Sequence, residues 1–318
     1  MRRAGIALTI LGLCVSSPAL AAQPEQTDAV GSDIDTQIDP DDAIVVTGSR
    51  LPDKKINRYI YDMLRPQAVG QQGQYARLAE PFCPSVLGFS KKAESVIEAR
   101  MRKVAAAAGI EVDEKSDCRP NVHLVRVESG RETIRFLRRN KARGAFGNTP
   151  IHQRDTIERR SGPVFSWQQT FSYGADSRQI IDPNPINGGA FDPAALGINF
   201  IYDNPRLRMG AEAGFRHATV LVERDALDDV SAIQLADFAV MRGLVPARED
   251  EFRQGARTAD SILNLFDPSV KTDARLPSLG RMDLALLTSL YAAPDNVNAN
   301  RQRGQMVKTF RAVLAQVD

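Results

Sequence analysis

Two kinds of apolar spacing divide most of the chain into helices and strands. Apolar positions recur at helical intervals from Val96 to Ala108, with Ser90 as a favourable N-cap and Gly109 as a favourable end. Alternating apolar and polar residues predict half-buried strands at 121–127 and 164–173. The chain therefore mixes both element types.

Further segments follow the same rules. Helical spacing extends over 56–64, 131–139, 279–291 and a last helix from about residue 300. The basic helix 131–139 is expected to bury Ile134, Leu137 and Phe136. The sequence also predicts a turn at Cys83-Pro84, a short strand at 198–202 and a loop over 206–214.

The most strongly specified stretch runs from a strand at 215–223 through a short acidic turn into a helix at 231–244. Ser231 and Gln234 have the spacing of a capping box, which fixes the helix start. Asp228 and Asp229 place negative charge at the positive end of the helix dipole. Gly243 suits the helix exit.

These elements predict one α+β domain over 54–318, with a mixed sheet packed against helices. The chain contains 318 residues, of which 43% are hydrophobic, so a buried core is well supplied. The preceding segment, 22–53, is acidic and poor in aromatic residues, and we expect it to be a disordered leader.

The first residues have the pattern of an export signal. Arg2 and Arg3 precede an apolar run over 6–15, and Ala19-Leu20-Ala21 offers a small-x-small cleavage site. A membrane anchor is the alternative, but the run is shorter than the roughly 20 residues that a bilayer requires. The sequence thus predicts a signal peptide at 1–21 and a periplasmic or secreted protein.

Removal of the signal leaves two cysteines, Cys83 and Cys118. In an oxidising compartment such a pair favours one disulfide, with two separate buried thiols as the alternative. The loop closed would contain about 36 residues, which corresponds to roughly 3–4 kcal/mol in the chain-entropy treatment.

Positive charge is concentrated in one region of a nearly neutral chain. The formal net charge is +2, yet the stretch 119–160 is rich in arginine. An anionic partner or an envelope protein could bind there, although a run of charge is usually a solvated face.

A short segment ahead of the domain resembles the opening of the plug domain in TonB-dependent outer-membrane receptors. The matching residues are Ile44-Val45-Val46-Thr47-Gly48. The resemblance implies an envelope interaction. The alternative is a β-prone segment that pairs with the domain or with nothing.

The helix 231–244 occupies the position that the site helix has in zinc peptidases. In those enzymes two histidines four residues apart bind zinc and an intervening glutamate serves as general base. When Gly243 is matched to the family's glycine, Ala236 and Val240 replace the histidines and Asp237 replaces the glutamate. The usual metal ligands are therefore missing.

The chain resembles bacterial exported proteins of unknown function whose domains are similar to degenerate zinc peptidases, and hence zincin-like. The motifs that carry the resemblance occur in order: Gly243-Leu244, Ser261-Ile262-Leu263-Asn264, Asp283, Leu286-Leu287 and Leu290-Tyr291. The resemblance implies a non-catalytic protein with a binding role and no cofactor. It also implies an acidic residue at position 237, which makes Asp237 a weak catalytic candidate.

The alternative function is a metal-dependent hydrolase with a non-standard site. Its metal ligands would come from His123, His152 and His217, whose wide spacing supports no local metal motif. Histidines within strands are more often structural, and Asp237 is expected to pair with an arginine such as Arg216 or Arg242, or to face solvent. A nucleophilic serine elbow, a phosphate loop and a dinucleotide fingerprint are all absent from the sequence.

Overall fold

The sequence folds around a mixed sheet. A computed structural model describes residues 44, 46, 48, 52–67, 73–140, 143–147, 149, 151–174, 179–180, 211–247 and 260–317. The strands are β1 (Arg77–Leu78), β2 (Pro84–Leu87), β3 (Val122–Val127), β4 (Val164–Gly174), β5 (Gln179–Ile180) and β6 (Ala211–Glu223). The helices are α1 (Asp53–Met63), α2 (Lys91–Ala107), α3 (Gly130–Arg139), α4 (Arg143–Phe146), α5 (Ile151–Glu158), α6 (Ala232–Leu244), α7 (Arg281–Tyr291) and α8 (Ala299–Val317).

The strand order is β2-β3-β6-β4-β5, and β1 also pairs with β6. Strands β1, β2, β3 and β6 run parallel, whereas β4 is antiparallel to β6 and β5 is antiparallel to β4. This arrangement confirms the expected combination of helices with a mixed sheet.

The two faces of the sheet are covered differently. Because side chains alternate along a strand, Val122 and Leu124 of β3 point into the main core, together with Val220 of β6. Helices α2 and α6 pack side by side on that face. The opposite face carries a smaller core, formed by Ile134, Phe146, Ile157, Phe165, Trp167 and Leu221.

The sequence predicted several element boundaries correctly. The Ser90 hydroxyl accepts a hydrogen bond from the Ala93 N–H at the start of α2, and Gly109 adopts φ +75° after its end. The predicted strands 121–127 and 164–173 are β3 and β4, and the predicted helices correspond to α1, α3, α6, α7 and α8. Local capping and periodicity were sufficient for these elements.

Other predictions were wrong. Residues 211–214 belong to β6 rather than to a loop, because β1 and β4 pair with them. Pro84 begins strand β2 instead of a turn, a position where its missing N–H costs little. Phe136 is 58% exposed although it was expected to face inward. Helices α4 and α5 were not predicted, and the strand expected at 198–202 lies outside the described residues.

The predicted signal peptide and most of the predicted acidic leader lie outside the described residues. Of the plug-like segment, Ile44 and Val46 are described, and both pack against the main core. This contact corresponds to the plainer interpretation, in which the segment associates with its own domain.

Cys83 and Cys118 form a disulfide, with their Cα atoms 6.2 Å apart, as predicted. The bond joins the residue before β2 to the loop that leads into β3. None of the helices in the described ranges is both long enough and apolar enough to cross a bilayer.

Candidate functional site

Two features fix the position of helix α6: a capping box at its first turn and a close contact with the sheet near its last turn. The Ser231 hydroxyl accepts from the Gln234 N–H at 3.2 Å, and the Gln234 side chain accepts from the Ser231 N–H at 3.0 Å. This capping box was predicted. Near the other end, a Cβ added to Gly243 would lie 3.1 Å from Val122 Cγ1, so glycine allows the helix to approach the strand closely.

Asp237 lies in the middle of α6 and is completely enclosed. Its two carboxylate oxygens accept from Arg100 Nε at 2.8 Å and Arg100 Nη2 at 2.9 Å. The Leu279 N–H donates to the same carboxylate at 2.6 Å. The side chains of Asp237 and Arg100 are 0% and 5% exposed, which makes this a buried, bidentate ion pair.

Asp237 pairs with an arginine, as expected, but the partner is Arg100 of α2 rather than Arg216 or Arg242. The alternative, a carboxylate that faces solvent, is wrong because the side chain is 0% exposed. Burial raises the pKa of the Asp237 carboxyl, while the Arg100 guanidinium and the Leu279 N–H oppose that rise by favouring the charged form.

A second buried carboxylate, that of Asp283 on α7, lies beside the first. It accepts from the Ser261 hydroxyl at 2.5 Å, from the Ile262 N–H at 2.8 Å and from the Gly280 N–H at 3.0 Å. Leu279 and Gly280 are adjacent in sequence, so consecutive backbone N–H groups bind the two carboxylates. The loop before α7 thus bonds to α6 and α7, and the Asp237 carboxylate extends these contacts to Arg100 of α2.

Burial also shifts the titration of this second group. It raises the pKa of the Asp283 carboxyl to about 6, even though its three hydrogen-bond donors favour the charged form. The nearby charge of Asp237 contributes to the same rise. The pKa of the buried Tyr59 hydroxyl is raised too, first by burial and then by Asp283.

The two positions that the sequence resemblance matches to zinc ligands contain fully buried apolar residues. Ala236 and Val240 are each 0% exposed and belong to the main core. Helix α6 therefore contributes packing and the Asp237 ion pair.

The histidines divide into a pair and a single residue. His123 and His217 lie on neighbouring strands, with ring centroids 6.1 Å apart and ring planes inclined by 14°. His152 is exposed on α5 and does not join them. Since Val122 and Ala218 face α6, the adjacent His123 and His217 lie on the opposite side of the sheet from Asp237.

Burial lowers the pKa of both paired imidazoles. For His123 the neighbouring His217 adds to the effect. For His217 burial is the largest cause, Glu80 opposes it, and Arg119 and Arg216 reinforce it. Both rings are consequently mainly neutral at pH 7.

Many arginines of the stretch 119–160 hold the second face of the domain together. Arg138 pairs with Asp155 at 2.6 Å and with Glu158, and Arg135 pairs with Glu158 at 2.9 Å. Arg160 donates to the Ser166 carbonyl. These contacts tie α3 to α5 and the loop after α5 to β4.

Sequence reasoning identified Asp237 but missed the group that completes its environment. Arg100 lies on the buried face of α2 beside apolar residues, and a charged residue on such a face is the signal for a buried counterion. Asp283 and Ser261 both occur in the motifs of the resemblance, but nothing in their spacing showed that they bond to each other.

No protein-family profile, curated protein or solved structure matches this chain.

Proposed function

We propose that the mature chain is a non-catalytic protein of the periplasm or the extracellular medium that acts by binding. We further propose that its domain is a degenerate, zincin-like relative of the zinc peptidases. The observation that carries the functional proposal is the enclosure of Asp237, the residue that the sequence resemblance matches to the peptidase general base.

A general base must reach the proton that it removes, directly or through one water molecule. Asp237 is 0% exposed and already accepts three hydrogen bonds, two of them from Arg100. The Asp237 carboxylate thus joins α6 to α2 and to the loop before α7. These contacts support the proposal that the residue stabilises the fold and takes no part in catalysis.

The alternative hydrolase would need the three histidines and Asp237 around one substrate. His123 and His217 lie across the sheet from Asp237, and His152 is separate from both. Among the described residues, no group of three or more His, Cys, Asp or Glu side chains is placed to hold a metal ion. The geometry favours binding over this alternative.

The surface that best suits a binding role is the outer side of α3 and α5, with an acidic partner as the ligand. Phe136 and Ile151 are each 58% exposed there. Arg139 and Arg159 are also exposed in this region. Exposed apolar side chains beside arginine are typical of interaction surfaces, where arginine and aromatic residues are enriched.

The non-catalytic part is tested with the full mature chain and a complex peptide mixture. We expect no cleavage, with or without added Zn²⁺, when the peptides are followed by mass spectrometry. Cleavage by the wild type that disappears in a folded Asp237→Asn variant would overturn the proposal.

The binding part is tested separately on a heparin column, since heparin is a simple acidic polymer. We expect retention that shortens in the double variant Arg139→Glu/Arg159→Glu. The matched control is Lys271→Glu/Lys308→Glu, which makes the same charge change at exposed lysines elsewhere. Equal loss in both variants would show that only net charge matters and would refute this surface.

A further inference from the structure

The second face of the sheet holds a cluster of polar residues that the proposed function does not use. Cross-strand register aligns Ser85, His123, Thr219 and Trp167 in one row over four strands. His217 precedes Thr219 by two residues and so lies on the same side. We call Ser85, His123, His217 and Thr219 the histidine patch.

The patch is partly exposed to solvent, unlike the core positions on the other face of the sheet. All four members are half-buried, whereas Val122 and Val220 on the other face are 0% exposed. In the described part of the chain, neither imidazole has a hydrogen bond, and the two rings contact each other. The imidazoles thus lie side by side, without a hydrogen-bond partner among the described residues, and are partly exposed to solvent.

We propose that His123 and His217 form a two-imidazole site for a divalent first-row transition metal such as Cu²⁺ or Zn²⁺. This site is independent of the zinc-peptidase frame, because it lies on the opposite face of the sheet from α6. Imidazole nitrogen is a preferred ligand of Cu²⁺, Ni²⁺ and Zn²⁺.

The spacing of the rings suits this chemistry. Zn–N bonds to histidine are about 2.0–2.1 Å long, which places the centroids of two rings on one ion roughly 5–6 Å apart. The observed separation is 6.1 Å, with nearly parallel rings on adjacent strands. The two rings therefore lie at about the separation that two imidazole ligands of one ion have.

The protonation states also suit it. A metal ligand must be deprotonated, so a protonated imidazole has to lose its proton before it can bind. Burial keeps both rings mainly neutral at pH 7, so this loss costs little.

The charges around the patch are mixed. Glu80 acts on His217 more strongly than Arg119 or Arg216 does, and in the direction that favours a cation. The Arg216 guanidinium lies 3.7 Å from the Glu80 carboxylate and 5.0 Å from the centre of the Phe171 ring. Its charge is therefore partly balanced, and the remaining coordination positions of the ion would be filled by water or an external ligand.

The test uses tag-free mature protein, because a polyhistidine tag would bind the same metals. Titration with Zn²⁺ or Cu²⁺ should give one ion per chain. The variants His123→Ala and His217→Ala should each weaken binding at least tenfold. His152→Ala is the matched control and should bind as the wild type does.

A spectroscopic measurement on the unmodified chain removes any dependence on how the variants fold. The ring resonances of His123 and His217 should shift together as Zn²⁺ is added, while those of His152 stay unchanged. Binding that survives both single substitutions, or an absence of any shift at millimolar Zn²⁺, would overturn the site. Neither result would affect the proposed function, which rests on the enclosure of Asp237 and on the exposed surface of α3 and α5.

Discussion

The two faces of the sheet treat polar side chains in opposite ways. On the side of the sheet that α6 covers, Asp237 and Asp283 are buried and each accepts three hydrogen bonds. Across the sheet, His123 and His217 are half-exposed and have no hydrogen bond within the described chain. The buried charges are compensated, while the open imidazoles are left available.

This difference distinguishes polar residues that stabilise the fold from polar residues that can bind a ligand. A buried charge is tolerated only when paired and hydrogen-bonded, so a satisfied network indicates a structural role. A neutral group at the surface can hydrogen-bond to water, so the absence of a protein partner costs little free energy and the group can bind a ligand. Asp237, which the sequence alone singles out, is thus structural, and the candidate ligands His123 and His217 lie on the opposite face of the sheet.

The largest expected effect comes from breaking the buried ion pair. Arg100→Met should destabilise the domain by about 3–5 kcal/mol, because it leaves the Asp237 carboxylate buried without its counterion. Urea unfolding with the disulfide intact measures the loss. Lys92→Met, an exposed change on the same helix, should shift stability by less than about 0.5 kcal/mol.

The double variant Arg100→Met/Asp237→Leu sharpens the comparison. It should be less destabilised than the sum of the single changes, since no unpaired charge remains. The Leu279 N–H then lacks its acceptor, which costs about 1–3 kcal/mol and keeps recovery incomplete. Strict additivity of the two changes would contradict the assignment of a coupled pair.

The disulfide between Cys83 and Cys118 is expected to stabilise the strands β2 and β3, which carry part of the histidine patch. Cys83→Ser/Cys118→Ser should lower stability by about 3–4 kcal/mol, because it frees a loop whose cysteines are 35 positions apart. The measurement is urea unfolding of oxidised wild type against the double variant. If the wild type loses no stability on reduction, the bond does not constrain the unfolded chain as expected.

Asp283 predicts a pH dependence on the buried face. Its pKa rises from 3.8 to about 6 on folding, so the folded state holds the proton more tightly than the unfolded state does. This contribution to stability is present below pH 4 and is lost as the pH rises through about 6, by roughly 3 kcal/mol.

The measurement is the free energy of unfolding from pH 4 to pH 7 for the wild type and for Asp283→Asn. The difference between the two curves isolates the contribution of Asp283. Other groups change stability with pH in the opposite direction, such as Glu158, whose pKa is lowered by its arginine partners. A difference curve that is flat between pH 4 and pH 6 would show that the Asp283 pKa is not raised.

The smallest effect is expected on the open face. His217→Ala should change stability by less than about 1 kcal/mol, since the ring is half-exposed and no hydrogen bond within the described chain is lost. Thermal unfolding in the presence of a chelator provides the measurement. A loss as large as that of Arg100→Met would make the histidine patch structural and would remove the contrast between the two faces.

Much of the architecture was predictable because it depends on local rules. The capping residues Ser90 and Ser231, the alternation in β3 and the spacing in α7 each act within a few residues. The disulfide was predictable from cysteine count and the export signal. The short helices α4 and α5 were not, because their pattern is weak and they gain stability from packing on β4.

The sequence by itself determined the elements with strong capping or periodicity, favoured a mixed sheet and a disulfide between Cys83 and Cys118, and showed that α6 has no histidine. Only the tertiary structure decided the partners of the polar side chains. Arg100 and Asp237 are 137 positions apart, and His123 meets His217 only because β3 and β6 are adjacent. Such contacts depend on strand order and helix packing, which no local pattern encodes.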